Sequence, residues 1–156
     1  MSAEFPESEL IRRSFTLRQM DLPSDVLLTK RSLVRWFALS SGLISPKESR
    51  FAILDVLDGL FYFQVSKKKF PKISELHSYL VSQKRKIGEK ALRYHLKRLF
   101  DLGILEWRGK RISFGVDPQA GKDDLAKGFE YSVSKNVKES LAGLGNCLGE
   151  IRKKYS

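Results

Sequence analysis

The sequence predicts a mainly α-helical protein with one small β-hairpin, an α+β fold. Apolar residues recur at helical spacing in most of the chain, and only residues 104–115 suggest two short strands around a glycine turn. The chain has 156 residues, is 42% hydrophobic and contains few prolines and glycines, so it can bury one core. We expect an N-terminal helical extension at 1–44, a central domain at 45–116 and a C-terminal helix within 117–156.

The positive charge is concentrated in one segment. Of the net charge of +11, +10 belongs to residues 67–111, which hold 14 Lys and Arg against 4 Asp and Glu. Such a concentration creates a local positive field that suits a polyanion, so nucleic acid is the expected partner. An anionic membrane surface is the alternative, but the apolar faces here have a core to fill.

Cysteine content and hydropathy indicate a cytoplasmic protein without a membrane segment. Cys147 is the only cysteine, so neither an internal disulfide nor a thiolate cluster is expected. The first ten residues are acidic and lack the apolar core of a signal peptide. No run approaches the roughly 20 apolar residues that span a bilayer.

The N-terminal extension contains one clear helix. Residues 1–28 give weak signals, with a helix possible after Pro6 and an arginine arm for phosphate, Arg12, Arg13 and Arg18, as a less favoured option to a solvated helix. Thr29 is a suitable N-cap for a helix at 30–41, which Gly42 ends.

A second helix is predicted at 46–65. Ser45, Pro46 and Glu48 form a capping-box pattern, and the residues that follow are apolar on most of the helix circumference, as in a central core helix. Asp55 and Asp58 lie one turn apart. General acid–base chemistry is one interpretation, but no His, Lys or Ser accompanies them, so a solvated edge is favoured.

A stub strand and a short helix precede the basic stretch. Residues 70–73 are short, extended and limited by a proline, and residues 74–83 form a helix whose buried side carries Leu76 and Leu80. His77 falls off that side and is expected to be exposed. A cationic turn at 84–88 then leads into the next helix.

Residues 88–115 predict a helix, a glycine stop and a basic hairpin. Leu92, Leu96 and Leu99 share one face of the helix at 88–102, whereas Lys90, Tyr94 and Lys97 lie near the opposite face. Gly103 suits the left-handed position after a helix end. Strands at 104–107 and 112–115 flank the turn at 108–111.

The last helix begins near Asp123 and carries a partial heptad seam. From Val137 on, apolar residues are spaced by 4, 3, 4, 3 and 4, which matches a coiled coil of about two and a half heptads. Glycines at 143, 145 and 149 weaken this helix but allow close backbone approach. We favour a homodimer through the helix over packing within the chain.

The segment 45–115 resembles the winged helix-turn-helix family of prokaryotic DNA-binding regulators. The resemblance is densest in 91–105, ALRYHLKRLFDLGIL, where two leucines frame a basic pair and a Gly-Ile-Leu end leads to the hairpin. It implies a recognition helix at 88–102 in the major groove and a wing at 104–115. The family also includes RNA-binding and protein-binding modules. The 44 preceding residues depart from its pattern.

Ten residues are candidates for DNA contact under this resemblance. In the helix, Arg93 suits bidentate recognition of guanine, and its neighbours contact base edges or phosphates. The wing cations reach the flanking backbone or minor groove, and the turn cations hold phosphate at the start of the helix. The alternative is a solvated charged face. The candidates are Lys84, Arg85, Lys86, Lys90, Arg93, Tyr94, Lys97, Arg108, Lys110 and Arg111.

The sequence shows no set of residues that would perform catalysis or bind a metal or cofactor. His95 lies at the edge of the buried stripe, where a packed neutral ring is the default, and we expect no metal, cofactor or catalytic residue. Trp107 and Phe114 could stack on bases, although packing under the hairpin is favoured. The predicted function is sequence-selective binding of double-stranded DNA in transcription regulation. The alternative is a non-specific architectural protein, or an adaptor for RNA or protein.

Overall fold

A computed structural model describes residues 5–48 and 51–156, and it is mainly helical with one two-stranded antiparallel hairpin. This agrees with the predicted α+β class. The chain forms two compact units that divide between Leu54 and Asp55. None of the helices in the described ranges is both long and apolar enough to cross a membrane.

The helix α1, Lys30–Ser40, is the main element of the first unit and matches the predicted helix at 30–41. Its N-cap is Thr29, whose hydroxyl accepts a hydrogen bond from the Ser32 N–H at 3.1 Å. Gly42 follows the helix with φ +75°, and the Leu43 N–H donates to the Ala38 carbonyl at 2.8 Å. This is a Schellman ending, which favours glycine at the left-handed position.

The segment before α1 is largely irregular rather than helical. It holds two short 3₁₀ turns, Pro6–Leu10 and Val26–Leu28. Between them, the Arg18 guanidinium donates to the carbonyls of Leu39 and Ile44 at 2.7 and 2.9 Å. A cation suits the negative end of a helix, where the last carbonyl groups point outward. Arg18 therefore anchors this segment to the end of α1 and is not part of a free phosphate arm, and the irregular backbone shows that the predicted solvated helix was wrong.

The helix α2 begins later than the capping-box pattern predicts. The Glu48 carboxylate accepts from the Ser45 N–H at 3.0 Å, so half of the box is present, but α2 spans Ala52–Phe61. Residues 49 and 50, which the prediction includes, lie outside the described residues. A π-helical turn, Tyr62–Ser66, continues the helix to the predicted end. The predicted core role is confirmed, because α2 buries an almost continuous apolar surface: Ile53, Leu54, Val56, Leu57 and Leu60.

The second unit continues with two helices and the hairpin. They are α3, Ile73–Ser82, and α4, Glu89–Asp101, followed by β1, Leu105–Arg108, and β2, Arg111–Phe114. Their leucines and Ile112 are almost completely buried. The stub strand predicted at residues 70–73 was wrong, because Ile73 already belongs to α3 and the sheet has only β1 and β2, but the Ile112 N–H does donate to the Pro71 carbonyl at 2.8 Å.

Glycines fix both the end of α4 and the hairpin turn, as the sequence predicts. Gly103 has φ +77°, and the Ile104 N–H donates to the Leu99 carbonyl at 3.0 Å, so α4 also has a Schellman ending. Arg108 pairs with Arg111, leaving Gly109 and Lys110 as a two-residue loop. Gly109 has φ +65°, the value that a type II′ turn needs at its first central position.

The last helix, α5, spans Leu125–Tyr155 and packs on the hairpin only through its first part. Gly128 and Val133 are buried, whereas every residue from Lys138 onward is exposed. A Cβ atom at Gly128 would overlap the carbonyl group of Gly115 at the end of β2. The close backbone approach is therefore at Gly128, a glycine that the sequence did not single out.

We expect Gly128→Ala to destabilise the protein by about 1–3 kcal/mol, because the added methyl group must push α5 away from backbone that cannot yield. Gly143→Ala is the matched control on the same helix. Apart from its chain neighbours and the adjacent backbone of α5, nothing in the described chain lies within 4 Å of its Cβ position, so it should stabilise α5 by up to about 1 kcal/mol. Urea denaturation measures both changes. Equal effects of the two substitutions would contradict the close approach.

Candidate nucleic-acid interface

One face of α4 carries four of the ten candidate residues. Lys90, Arg93, Tyr94 and Lys97 are all exposed on successive turns, with Tyr94 67% exposed. The reason is the helix period, since Leu92, Leu96 and Leu99 occupy the opposite side and are buried. The predicted division of α4 into a buried leucine face and an exposed cationic face is therefore confirmed.

Carboxylates flank the cations of this face. Glu89 accepts from the Arg93 guanidinium at 3.0 Å, but both side chains are more than half exposed, so the pair is weak and Arg93 can exchange it for another anion. Asp101 lies one turn beyond Lys97 on the same side of α4 and is exposed. The cationic surface thus extends over about two turns and ends at Asp101.

Arg85 in the turn before α4 is engaged within the protein. Its guanidinium lies 2.5 Å from the Asp55 carboxylate and 3.7 Å from that of Asp58, all three side chains being about one-third exposed or less. Asp55 and Asp58 are therefore an anchor for Arg85, so the predicted solvated edge was wrong. The sequence could not show this pairing because about 30 residues separate the partners.

The rest of the turn holds two exposed lysines. Lys84 has φ +58°, and its N–H donates to the Val81 carbonyl at 2.9 Å, which reverses the chain after α3. Lys86 is also exposed.

His77 of α3 faces this turn. Its ring is half-buried, and Nε2 lies 3.3 Å from the Ile87 carbonyl, so the predicted exposure of His77 was wrong.

The two hairpin arginines are held by neighbouring groups. Arg108 donates to the Ser113 hydroxyl at 2.8 Å and lies over the Phe70 ring, 5.2 Å from its centroid. Arg111 donates to the Phe70 carbonyl at 2.8 Å and to the Glu75 carboxylate at 2.9 Å. Lys110 at the turn is exposed. Of the three wing candidates, Lys110 is the one most available to an external anion.

Glu75 joins the start of α3 to β2. Its carboxylate accepts from the Lys69 ammonium at 2.5 Å and from the Lys72 N–H at 3.0 Å, besides the bond from Arg111. The hydrogen bond from Lys69, then that from the Lys72 N–H, lowers the pKa of Glu75 from 4.5 to about 2. The charged form of Glu75 therefore stabilises the folded state.

This lowered pKa predicts a defined loss of stability in acid. The contribution of Glu75 is complete above its unfolded pKa near 4.5 and disappears as the pH falls towards about 2. Glu75→Gln should therefore be less stable than the native protein at pH 6, and the difference should shrink by pH 3. The exposed Glu130→Gln is the control. Urea denaturation at the two pH values measures this, and a pH-independent difference for Glu75→Gln would contradict it.

The two aromatic residues of the hairpin have different environments. Phe114 is 4% exposed and stacks on Phe61 with ring centroids 4.7 Å apart, so its predicted core role is confirmed. Trp107 stacks on Phe100 of α4 at 4.5 Å but remains 52% exposed. The predicted packing under the hairpin therefore holds for only about half of the Trp107 side chain. His95 is half-buried beside Tyr94.

A groove of about 320 Å³ lies beside α4, between the start of α3 and β1. Arg93 and Lys97 line one part of it, and Phe100 and Trp107 line another. Ile73, Leu96 and Asp101 complete the lining. The groove thus combines cations with aromatic rings, at the edge of the exposed face of α4.

Gln64 is a structural residue that the sequence analysis missed. Its side chain is almost completely buried within the π-helical turn, donates to the Lys122 carbonyl at 2.7 Å and accepts from the Phe114 N–H at 2.8 Å. Both ends of the amide are thereby satisfied, so Gln64 ties β2 and the loop before α5 to α2. The only sign of this role in the sequence is a single glutamine within an otherwise apolar helix.

The search for metal ligands and the comparisons with known proteins gave these results. The two described ranges contain no group of three or more His, Cys, Asp or Glu residues that could hold a metal ion. The chain matches no protein-family model, no curated protein and no solved structure.

Proposed function

We propose that the protein binds double-stranded DNA with sequence selectivity and regulates transcription. In this proposal residues 45–116 form a winged helix-turn-helix domain, α4 enters the major groove, and the hairpin lies over the adjacent backbone. The order α2, α3, α4, β1 and β2 supports it, as do the glycine end of α4 and the Pro71–Ile112 hydrogen bond. The proposal includes no catalytic residue, cofactor or metal.

The observation that carries the proposal is the set of exposed cations left after internal pairing. Arg85, Arg108 and Arg111 make hydrogen bonds or ion pairs within the protein. Among the described residues, no ion pair is found for five of the nine cationic candidates, and Arg93 has only the exposed pair with Glu89. The available set is Lys84, Lys86, Lys90, Arg93, Lys97 and Lys110.

These six cations have two different roles in the proposal. Arg93 reads guanine, because its planar fork matches the two acceptors that this base presents in the major groove. The lysines anchor phosphates, which fixes the position of α4 but carries no sequence information. Tyr94 is exposed on the same face and contacts base edges. Arg85 and Arg111 contribute by holding the turn and hairpin in place.

The exposed seam of α5 supports a homodimer. Leu141, Leu144, Leu148, Ile151 and Tyr155 are between 44 and 88% exposed. Their heptad spacing is the pattern by which like helices pair. A second copy would cover these side chains and would present a second α4 to the other half of a two-fold site.

Replacing Leu144 and Leu148 by glutamate should make the protein monomeric, because two like-charged pairs would then lie in the seam. The control is the same charge change on the opposite side of α5, Ala142→Glu with Asn146→Glu, which should leave the dimer intact. Sedimentation velocity at micromolar concentration measures both. A native protein that sediments as a monomer at these micromolar concentrations would contradict the dimer.

Selection of binding sites from random duplexes at near-physiological salt tests the proposed function. Enrichment of a two-fold motif is the expected result, since two copies of α4 would read two half-sites. An architectural protein or an RNA or protein adaptor would enrich no motif. In competition with excess random duplex, a specific regulator should retain its selected site, whereas a coating protein should lose it.

A further inference from the structure

The exposed ring of Trp107 presents a stacking surface beside the cationic face. Phe100 lies against one face of the indole, with an interplanar angle of 11°, and the side chain is still half exposed. Its position follows from the hairpin register, because Trp107 pairs with the fully buried Ile112 and thus lies on the apolar side of the hairpin. It reaches the outer end of that side, where the core no longer covers it.

The groove next to Trp107 offers the groups that a nucleotide needs. Trp107 supplies an aromatic face for a base, since Phe100 covers the other face of the indole, and Arg93 and Lys97 supply cations for the phosphate. The volume of about 320 Å³ is at the lower end of the range for small-molecule sites, so the groove has room for a single nucleotide.

We propose that this groove binds one unpaired nucleotide, its base stacked on Trp107 and its phosphate held by Arg93 and Lys97. The inference rests on the proposed function, because Arg93 and Lys97 belong to both surfaces: Arg93 reads guanine in a paired duplex and holds the phosphate where a nucleotide is unpaired. The strand that lies on α4 delivers the nucleotide, which leaves the stack at a mismatch, a bulge or a strand end. Loss of the Glu89 pair frees Arg93 for the phosphate.

Asp101 gives the groove a base preference. Its carboxylate lines the groove and is exposed, and a carboxylate accepts hydrogen bonds from the amino groups of bases. Guanine offers two adjacent N–H groups on its pairing edge. Thymine offers one N–H between two carbonyl oxygens, which a carboxylate repels. The groove therefore favours an unpaired guanine over an unpaired thymine.

Fluorescence of Trp107 tests the stacking directly. The chain has two tryptophans, so Trp36→Phe leaves Trp107 as the single reporter. This variant is titrated with a fully paired duplex, with the same duplex carrying one bulged guanine or thymine, and with free dGMP. We expect the bulged guanine to quench Trp107 and to bind more tightly than the paired duplex. Quenching by dGMP without any preference for the bulge would overturn delivery by a strand and assign the groove to a free nucleotide.

Substitutions then separate stacking from folding. Trp107→Leu should weaken binding of the bulged duplex by roughly ten-fold and leave binding of the paired duplex within about two-fold, whereas Trp107→Phe should retain most of the preference. Asp101→Asn should reduce the preference for guanine over thymine. Equal affinities of the native protein for bulged and paired duplexes would overturn the inference while leaving duplex binding intact. Quenching by the bulged duplex with no binding of paired DNA would overturn the proposed function instead.

Discussion

Replacing Lys90, Arg93 and Lys97 together by alanine is expected to weaken binding of the selected duplex by about 10²–10³-fold. The three side chains lie on one exposed face of α4, and each would lose a contact with a phosphate or a base edge. Loss of the Arg93 contact with guanine should also relax the sequence selectivity at one position of the site. Fluorescence anisotropy with the selected duplex and a random duplex measures both effects.

A matched variant controls for the loss of three positive charges. Lys127, Lys135 and Lys153 are exposed on α5, and their replacement by alanine lowers the net charge by the same amount. This control should weaken binding only slightly, because long-range attraction is screened beyond about 10 Å at 0.1 M salt. If the two triple variants lose affinity equally, net charge explains the binding and α4 has no special role.

Gln64→Met should destabilise the second unit by about 2–4 kcal/mol. Methionine has nearly the same length, but it leaves the buried Phe114 N–H without its acceptor and the Lys122 carbonyl without its donor. Because Gln64 holds β2, the hairpin should also become more mobile. Urea denaturation measures the stability, and hydrogen exchange at the Phe114 amide measures the local effect.

The exposed Gln119→Met provides the control for this substitution and should change the stability by less than about 0.5 kcal/mol. Rapid exchange of the Phe114 amide in the native protein would show that Gln64 does not hold this strand. Unchanged stability of Gln64→Met would lead to the same conclusion.

Local rules predicted the elements whose signals are contained within a few residues. The leucine spacing of α4 fixed its buried face, and Thr29, Gly42, Gly103 and Gly109 each occupy the cap or turn position expected of them. The capping box before α2 failed as a helix start, although the hydrogen bond from the Ser45 N–H to the Glu48 carboxylate forms. A capping pattern closes a turn, but tertiary packing decides where a helix begins.

The side-chain partners of the cations could not be predicted, because they come from distant parts of the chain. Arg18, Arg85 and Arg111 each bind groups more than 20 residues away. In a sequence they look like any other exposed arginine. The charge segregation was therefore visible, but which cations stay available to a ligand depends on the fold.

Trp107 shows the same limit for an apolar residue. Its alternation with Leu105 predicts the apolar side of the hairpin, and the register confirms this. How far the core extends along that side depends on the length of α4 and on Phe100, neither of which the strand pattern contains. The exposed half of the ring is the feature that makes a nucleotide site possible.

The dependence of duplex affinity on salt tests the central claim most directly. If the five exposed lysines of the turn, α4 and the hairpin neutralise about five phosphates per copy of the chain, the affinity of each copy for its half-site should fall about 500-fold between 50 and 200 mM salt. The Lys90, Arg93 and Lys97 triple variant lacks two of these lysines and should show about three-fifths of that slope on a logarithmic plot. An affinity that stays nearly constant over this range, or a slope that the triple variant leaves unchanged, would contradict DNA binding by this face of α4.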